Sequence, residues 1–67
     1  MEYTNSQISR LIAEHIHSQR DREIMSLRLI DGLTFERLSE RMAMSTVQVK
    51  RIVYREKKKL FSLMSQN

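Results

Sequence analysis

The 67-residue chain has no cysteine, no proline, no tryptophan and a single glycine, Gly32. Without cysteine there is neither a disulfide nor a thiolate metal site to stabilise a small core. Without proline, and with one glycine, the chain carries few intrinsic helix breakers. The remaining composition is rich in Leu, Ile, Met, Arg, Lys, Glu and Gln, all good helix formers. The expected fold class is therefore all-α. Aromatic residues are few and no apolar run is long enough to cross a bilayer, so no membrane association is expected. The N-terminus carries Glu2 and no apolar stretch, unlike a secretory signal, and the expected location is cytoplasmic. A chain of this length is expected to form one domain, 1–67, whose helices bury their faces against each other or against a second copy.

Charge is distributed unevenly. In residues 1–33, Arg10, Arg20, Arg22 and Arg28 oppose Glu2, Glu14, Asp21, Glu23 and Asp31. In residues 34–67, Arg37, Arg41, Lys50, Arg51, Arg55, Lys57, Lys58 and Lys59 oppose only Glu36, Glu40 and Glu56. A basic stripe on one helix is the footprint of a polyanion-binding surface. Its plain alternative is a solvated lysine-rich tail.

Apolar spacing predicts four helices: a three-helix core preceded by an N-terminal helix. The first runs over about 6–17, with Ile8, Leu11, Ile12 and Ile16 on one face and Thr4 or Asn5 as N-cap. The second runs over about 19–31, capped by Ser18, with Asp21 in its first turn and Ile24, Leu27 and Leu29 or Ile30 facing inward. Gly32 should supply the left-handed C′ position that ends it. Thr34 should cap a third helix over about 35–42, with Phe35, Leu38 and Met42 as its buried edge. Ala43 and Met44 make a turn. Ser45 and Gln48 form the S-x-x-Q pattern of a capping box, which predicts a fourth helix from Ser45 to about Leu63. Val49, Ile52, Val53, Leu60 and Phe61 are available to pack it, while residues 65–67 should fray.

A short amphipathic helix, a tight turn and a second helix with a basic exposed side form the pattern of a helix-turn-helix, whose second helix enters the DNA major groove. The expected base-reading set is Thr46, Val47, Gln48, Lys50, Arg51 and Tyr54. Phosphate contacts are expected from Thr34, Arg37, Arg41, Arg55, Lys57, Lys58 and Lys59. The bland reading of the same pattern is a protein-interaction domain with a solvated basic face.

Other chemistry is thinly represented. His15 and His17 are two apart on a helix and point in different directions, whereas helical metal pairs need i, i+3 or i, i+4 spacing. Arg20-Asp21-Arg22-Glu23 reads as a solvated salt-bridge face. Met25, Met42 and Met44 read as packing residues. No phosphate-binding glycine loop and no nucleophile–base spacing is present, so no enzyme, cofactor, metal or small-molecule ligand is expected.

Several segments together resemble region 4 of bacterial sigma factors. They are Arg20-Asp21-Arg22-Glu23-Ile24-Met25, Arg28-Leu29-Ile30-Asp31-Gly32-Leu33-Thr34-Phe35-Glu36, Leu38-Ser39-Glu40-Arg41, Met44-Ser45, Val49-Lys50 and Lys58-Lys59-Leu60. The resemblance spans about 18–61 and rests on the combination, not on any one piece. It implies packed helices ending in a helix-turn-helix, recognition of the −35 promoter element, and docking on the flap of the RNA polymerase β subunit. By position it assigns base reading to Thr46, Val47, Lys50 and Arg51, and backbone contacts to Arg37 and Arg41. The chain has no room for the region that binds the −10 element, which points to a small bacterial regulator, or one carried by a prophage, rather than a complete sigma factor. Glu56 stands where the family has a small inward residue, so it is expected to turn outward or to meet a cation at a subunit contact. Output domains of quorum-sensing activators share the Val49-Lys50 spacing and dimerise through their last helix.

The leading expectation is a small DNA-binding transcription regulator whose recognition helix spans about 45–60. The alternative is a module that binds RNA polymerase or another transcription protein. RNA binding through the basic helix is a third expectation. A single reading helix covers few base pairs, which suggests a homodimer. The first helix and the tail residues Leu60, Phe61, Leu63 and Met64 are the candidate contact surfaces.

Overall fold

A computed structural model describes residues 3–64. Four helices account for most of them: α1 (Asn5–His15), α2 (Gln19–Leu29), α3 (Phe35–Met42) and α4 (Thr46–Met64). No strand occurs among the described residues, so the domain is all-α with four helices, as composition and periodicity predict. No helix among them is long and apolar enough to cross a membrane. The expected fraying of 65–67 lies outside the described residues.

Each helix start is fixed by a side chain. Thr4 caps α1 through a capping box, its Oγ1 accepting from Gln7 N at 3.1 Å while Gln7 Oε1 accepts from Thr4 N at 2.8 Å. Ser18 Oγ accepts from Asp21 N at the start of α2, and Thr34 Oγ1 accepts from Arg37 N at the start of α3. The Ser45–Gln48 box opens α4, with both reciprocal bonds at 3.1 Å.

Helix ends depart from expectation in two places. The first helix stops at His15, short of His17, because Ile16 turns extended and is buried with 1% exposure. Arg22 Nη1 donates to the Ile16 carbonyl and holds that turn. The second helix stops at Leu29, not Asp31. Gly32 does adopt a positive φ of 73°, but it lies two residues beyond the cap Ile30 rather than directly after it. The connection is a wide one, with Asp31 N bonded to Ser26 O and Leu33 N to Leu27 O. Arg28 Nη1 donates to the Leu33 carbonyl across it.

The core lies where α2 packs against α4 and α3, with α1 laid across α2 and the far part of α4. Ile12 and Ile16, then Ile24, Met25 and Leu27, Leu38, and finally Val49, Ile52, Val53 and Leu60 are buried. Ile8, Leu11, Leu29, Leu33, Phe35, Met42 and Met44 pack around them, half-buried. The apolar edge of α1 is therefore spent inside the subunit, which removes Ile12 and Ile16 from the expected dimer surface. Leu60 is likewise fully buried. Phe61, expected to pack, is instead 49% exposed. Tyr3 Oη donates to the Met64 carbonyl at 3.0 Å, tying the start of the described chain to the end of α4.

Two acidic residues are buried, against the solvated face expected of Asp21 and the outward turn that was one of two alternatives for Glu56. Asp21 is not part of a solvated face: it is 4% exposed. Glu56 does not turn outward: it is 6% exposed, on the side of α4 that carries Val49, Val53 and Leu60. Helical periodicity dictates that position, since residue 56 is seven beyond Val49 and four before Leu60.

Candidate nucleic-acid interface

The candidate interface is built on α3, α4 and the turn between them. Ala43 closes α3 in the left-handed conformation, with φ 55° and ψ 45°. Its N–H bonds Glu40 O at 3.4 Å, and Met44 N bonds Ser39 O at 3.0 Å. These are the two bonds of a Schellman motif, with alanine where glycine is usual. The capping box at Ser45 follows at once, so little freedom remains between the helices.

At 3.6 residues per turn, α4 presents three strips to solvent. The central strip, opposite Val49 and Val53, carries Val47, Arg51, Tyr54 and Lys58. Val47 and Tyr54 are 63% and 59% exposed, so this strip is open from the first turn. A second strip, toward α3, carries Thr46, Lys50, Lys57 and Phe61. The third, toward α2, carries Gln48, Arg55 and Lys59. The run Lys57-Lys58-Lys59 therefore divides among all three strips.

Lys50 Nζ lies 5.5 Å from the centroid of the Phe35 ring, and Tyr54 meets the same ring edge-on at 5.9 Å. Arg28 packs on Phe35 too, its Cζ 4.2 Å from the centroid. A ring read in sequence as core edge thus organises two residues of the predicted reading set. Gln48 is exposed, but its Oε1 accepts from Ser45 N. Reading adenine needs both the amide oxygen and nitrogen, and in this conformation one lone pair of the Gln48 oxygen is already taken while its NH₂ is open. Thr46 is half-buried at the start of α4, and Arg51 is exposed.

Among the predicted phosphate contacts, Arg37 and Arg41 are exposed on α3. Thr34 serves as a helix cap. Lys58 and Lys59 are exposed, and Lys57 lies over Phe61 at 5.4 Å. Arg55 is partly committed: its Nη2 donates to Asp21 Oδ2 at 2.7 Å, while Arg20 Nε donates to Asp21 Oδ1 at 3.2 Å. The roles of Asp21 and Arg20 at this edge escaped the sequence reading, since no local signal marks a partner on another helix.

No group of three or more His, Cys, Asp or Glu comes together as a metal site among the described residues. His15 is half-buried and His17 exposed. Compared with protein-family models, curated proteins and solved structures, the chain produced no match.

Proposed function

We propose that the chain is a small transcription regulator that binds duplex DNA, using α3, the Ala43–Ser45 turn and α4 as a helix-turn-helix. One observation carries the reading: the strip Val47, Arg51, Tyr54, Lys58 is open to solvent on a helix whose start is locked by a capping box and a Schellman turn. A groove-reading helix needs that combination, because its first turns approach the bases and must not fray. Val47 offers a methyl contact to thymine, and Arg51 offers a bidentate fork to guanine. Arg37, Arg41 and Lys58 supply backbone contacts whose contribution falls with salt. The sigma region 4 resemblance points the same way, toward a bacterial or phage-encoded regulator acting in the cytoplasm.

The test is anisotropy titration into a labelled pool of random duplexes at about 50 and 200 mM salt. The Lys50→Ala/Arg51→Ala double variant is measured alongside. Wild-type binding that weakens steeply with salt, and loss of sequence preference in the folded variant, are the expected results. Sequence preference that survives in the variant overturns the site assignment.

A second reading is a module for protein contact, such as the flap of the polymerase β subunit. It is favoured by the apolar row Val47, Tyr54 and Phe61, exposed at 63, 59 and 49% at every second turn of α4. Salt-resistant retention of purified polymerase, with no affinity for duplex DNA, supports it.

A further inference from the structure

Between the first turn of α2 and the outer side of α4 lies an open notch of about 190 Å³. Three arginines line it, Arg20, Arg51 and Arg55, together with Gln48, over a floor of Met44 and Ile52. Three guanidinium groups around one concavity repel each other. A single buried carboxylate offsets part of that repulsion: Asp21 accepts Arg20 on Oδ1 and Arg55 on Oδ2. Its side chain is only 6% exposed, whereas those of Arg20 and Arg55 are 55% and 57% exposed. Asp21 therefore sits behind the arginines, not among them. Each guanidinium carries five N–H donors, and the single bond that Arg20 and Arg55 each make to Asp21 leaves most of theirs to point outward. Gln48, held through its oxygen, keeps its NH₂ as a further donor.

We propose that this notch is the seat of one phosphate group of the DNA backbone, and that Asp21 is a positioning residue that splays Arg20 and Arg55 into a fork around it. The proposal rests on the DNA-binding reading above and adds to it Arg20 and Asp21, while Arg51 at the rim of the notch keeps its base-reading task. Phosphate suits the notch because planar guanidinium forks bind its oxygens in parallel pairs. The apolar floor keeps water from screening the pairing on one side. The seat also gives α4 a fixed register: a phosphate held between α2 and α4 sets how deep Val47 and Arg51 reach.

Two variants test it, Arg20→Gln and Asp21→Asn, each checked for folding by thermal unfolding and titrated with duplexes over a salt series. Arg20→Gln should weaken binding to all sequences alike and flatten the plot of log K against log salt by about one. Asp21→Asn makes the protein more positive by one charge. Simple electrostatics therefore predicts tighter DNA binding, whereas loss of the splint predicts weaker binding. An unchanged slope for folded Arg20→Gln, or tighter binding by folded Asp21→Asn, overturns the seat. Should Asp21→Asn not fold, the slope of Arg20→Gln decides. If the wild type has no affinity for duplex DNA even at low salt, the DNA reading and the seat as proposed both fall. Titration with inorganic phosphate, read on arginine Nε–H resonances, then separates two cases. Shifts confined to Arg20, Arg51 and Arg55 leave an anion site without DNA, and no shift removes that as well.

Discussion

Asp21 and Arg55 are 34 residues apart in the chain and 2.7 Å apart in space. Their ion pair joins the first turn of α2 to the middle of α4, across the most extensive helix contact in the domain. The carboxylate is buried and the arginine is more than half exposed, so solvent screens one side of the pair. A double-mutant cycle with Asp21→Asn and Arg55→Gln should return a coupling of about 1 kcal/mol, the upper part of the range for partly exposed pairs. Arg20 remains on the carboxylate in the Arg55 variant, which keeps the single loss small. Urea denaturation of the four proteins measures it, and a coupling near zero would mean that the pair contributes nothing to stability.

Gln48 is claimed by two tasks, closing the capping box and facing DNA. Substitution by glutamate separates them. A glutamate at the same position keeps the reciprocal bond to Ser45 N and places a carboxylate at the positive end of α4. Gln48→Glu should therefore hold or raise stability by a few tenths of a kcal/mol, up to about 1 kcal/mol. The same charge should weaken DNA binding. Gln48→Ala should lose about 0.5–1 kcal/mol through the cap. Paired thermal melts and DNA titrations read both effects; Gln48→Glu that binds DNA as well as wild type would place position 48 away from the duplex.

Ala43 stores strain in the turn between α3 and α4. A left-handed alanine costs about 1–2 kcal/mol relative to a right-handed one. Glycine there removes that cost but adds about 0.4–1 kcal/mol of unfolded-state freedom. Ala43→Gly should gain about 0.5–1 kcal/mol net, and a melting temperature higher by about 2–8 °C is the expected reading for a domain of this size. Ala43→Val, β-branched at positive φ, should lose stability. A glycine variant that melts lower than wild type would show that the left-handed geometry is not what limits this turn.

The helices were legible because their starts are written locally. Ser18, Thr34 and Ser45 each stand just before an apolar repeat, and each caps the helix that follows. The same signature at Thr4 and Gln7 forms a full box, although sequence reading left the choice between Thr4 and Asn5 open. The ends were less legible: α1 stops two residues early because burying Ile16 against the core outweighs another helical bond. The neighbours Arg20, Arg22 and Glu23 make Asp21 look like part of a solvated face, while Arg55, which pairs it, lies on α4. The ring of Phe35 does pack at the core edge, but no local signal announces that Arg28, Lys50 and Tyr54 reach it from two other helices. Local sequence fixes caps and faces. It does not reveal which charges from distant segments will meet.

Leu38 is the one buried residue of α3, with 0% exposure. That short helix depends on it for attachment, because Phe35 and Met42 are only half-buried at its ends. Truncating a buried leucine to alanine costs about 2–5 kcal/mol, the spread reflecting how far the cavity collapses. A single core in a chain of this size rarely supplies more than about 3–5 kcal/mol in total. Leu38→Ala should therefore leave the domain largely unfolded at physiological temperature. Val47→Ala, on the exposed strip of the same two-helix unit, should change stability by no more than about 0.5 kcal/mol. Helical circular dichroism of both variants checks the contrast. If Leu38→Ala retains a cooperative melt close to wild type, α3 is held by its half-buried ends and the turn, and the α3–α4 unit owes its rigidity to those contacts instead of to the core.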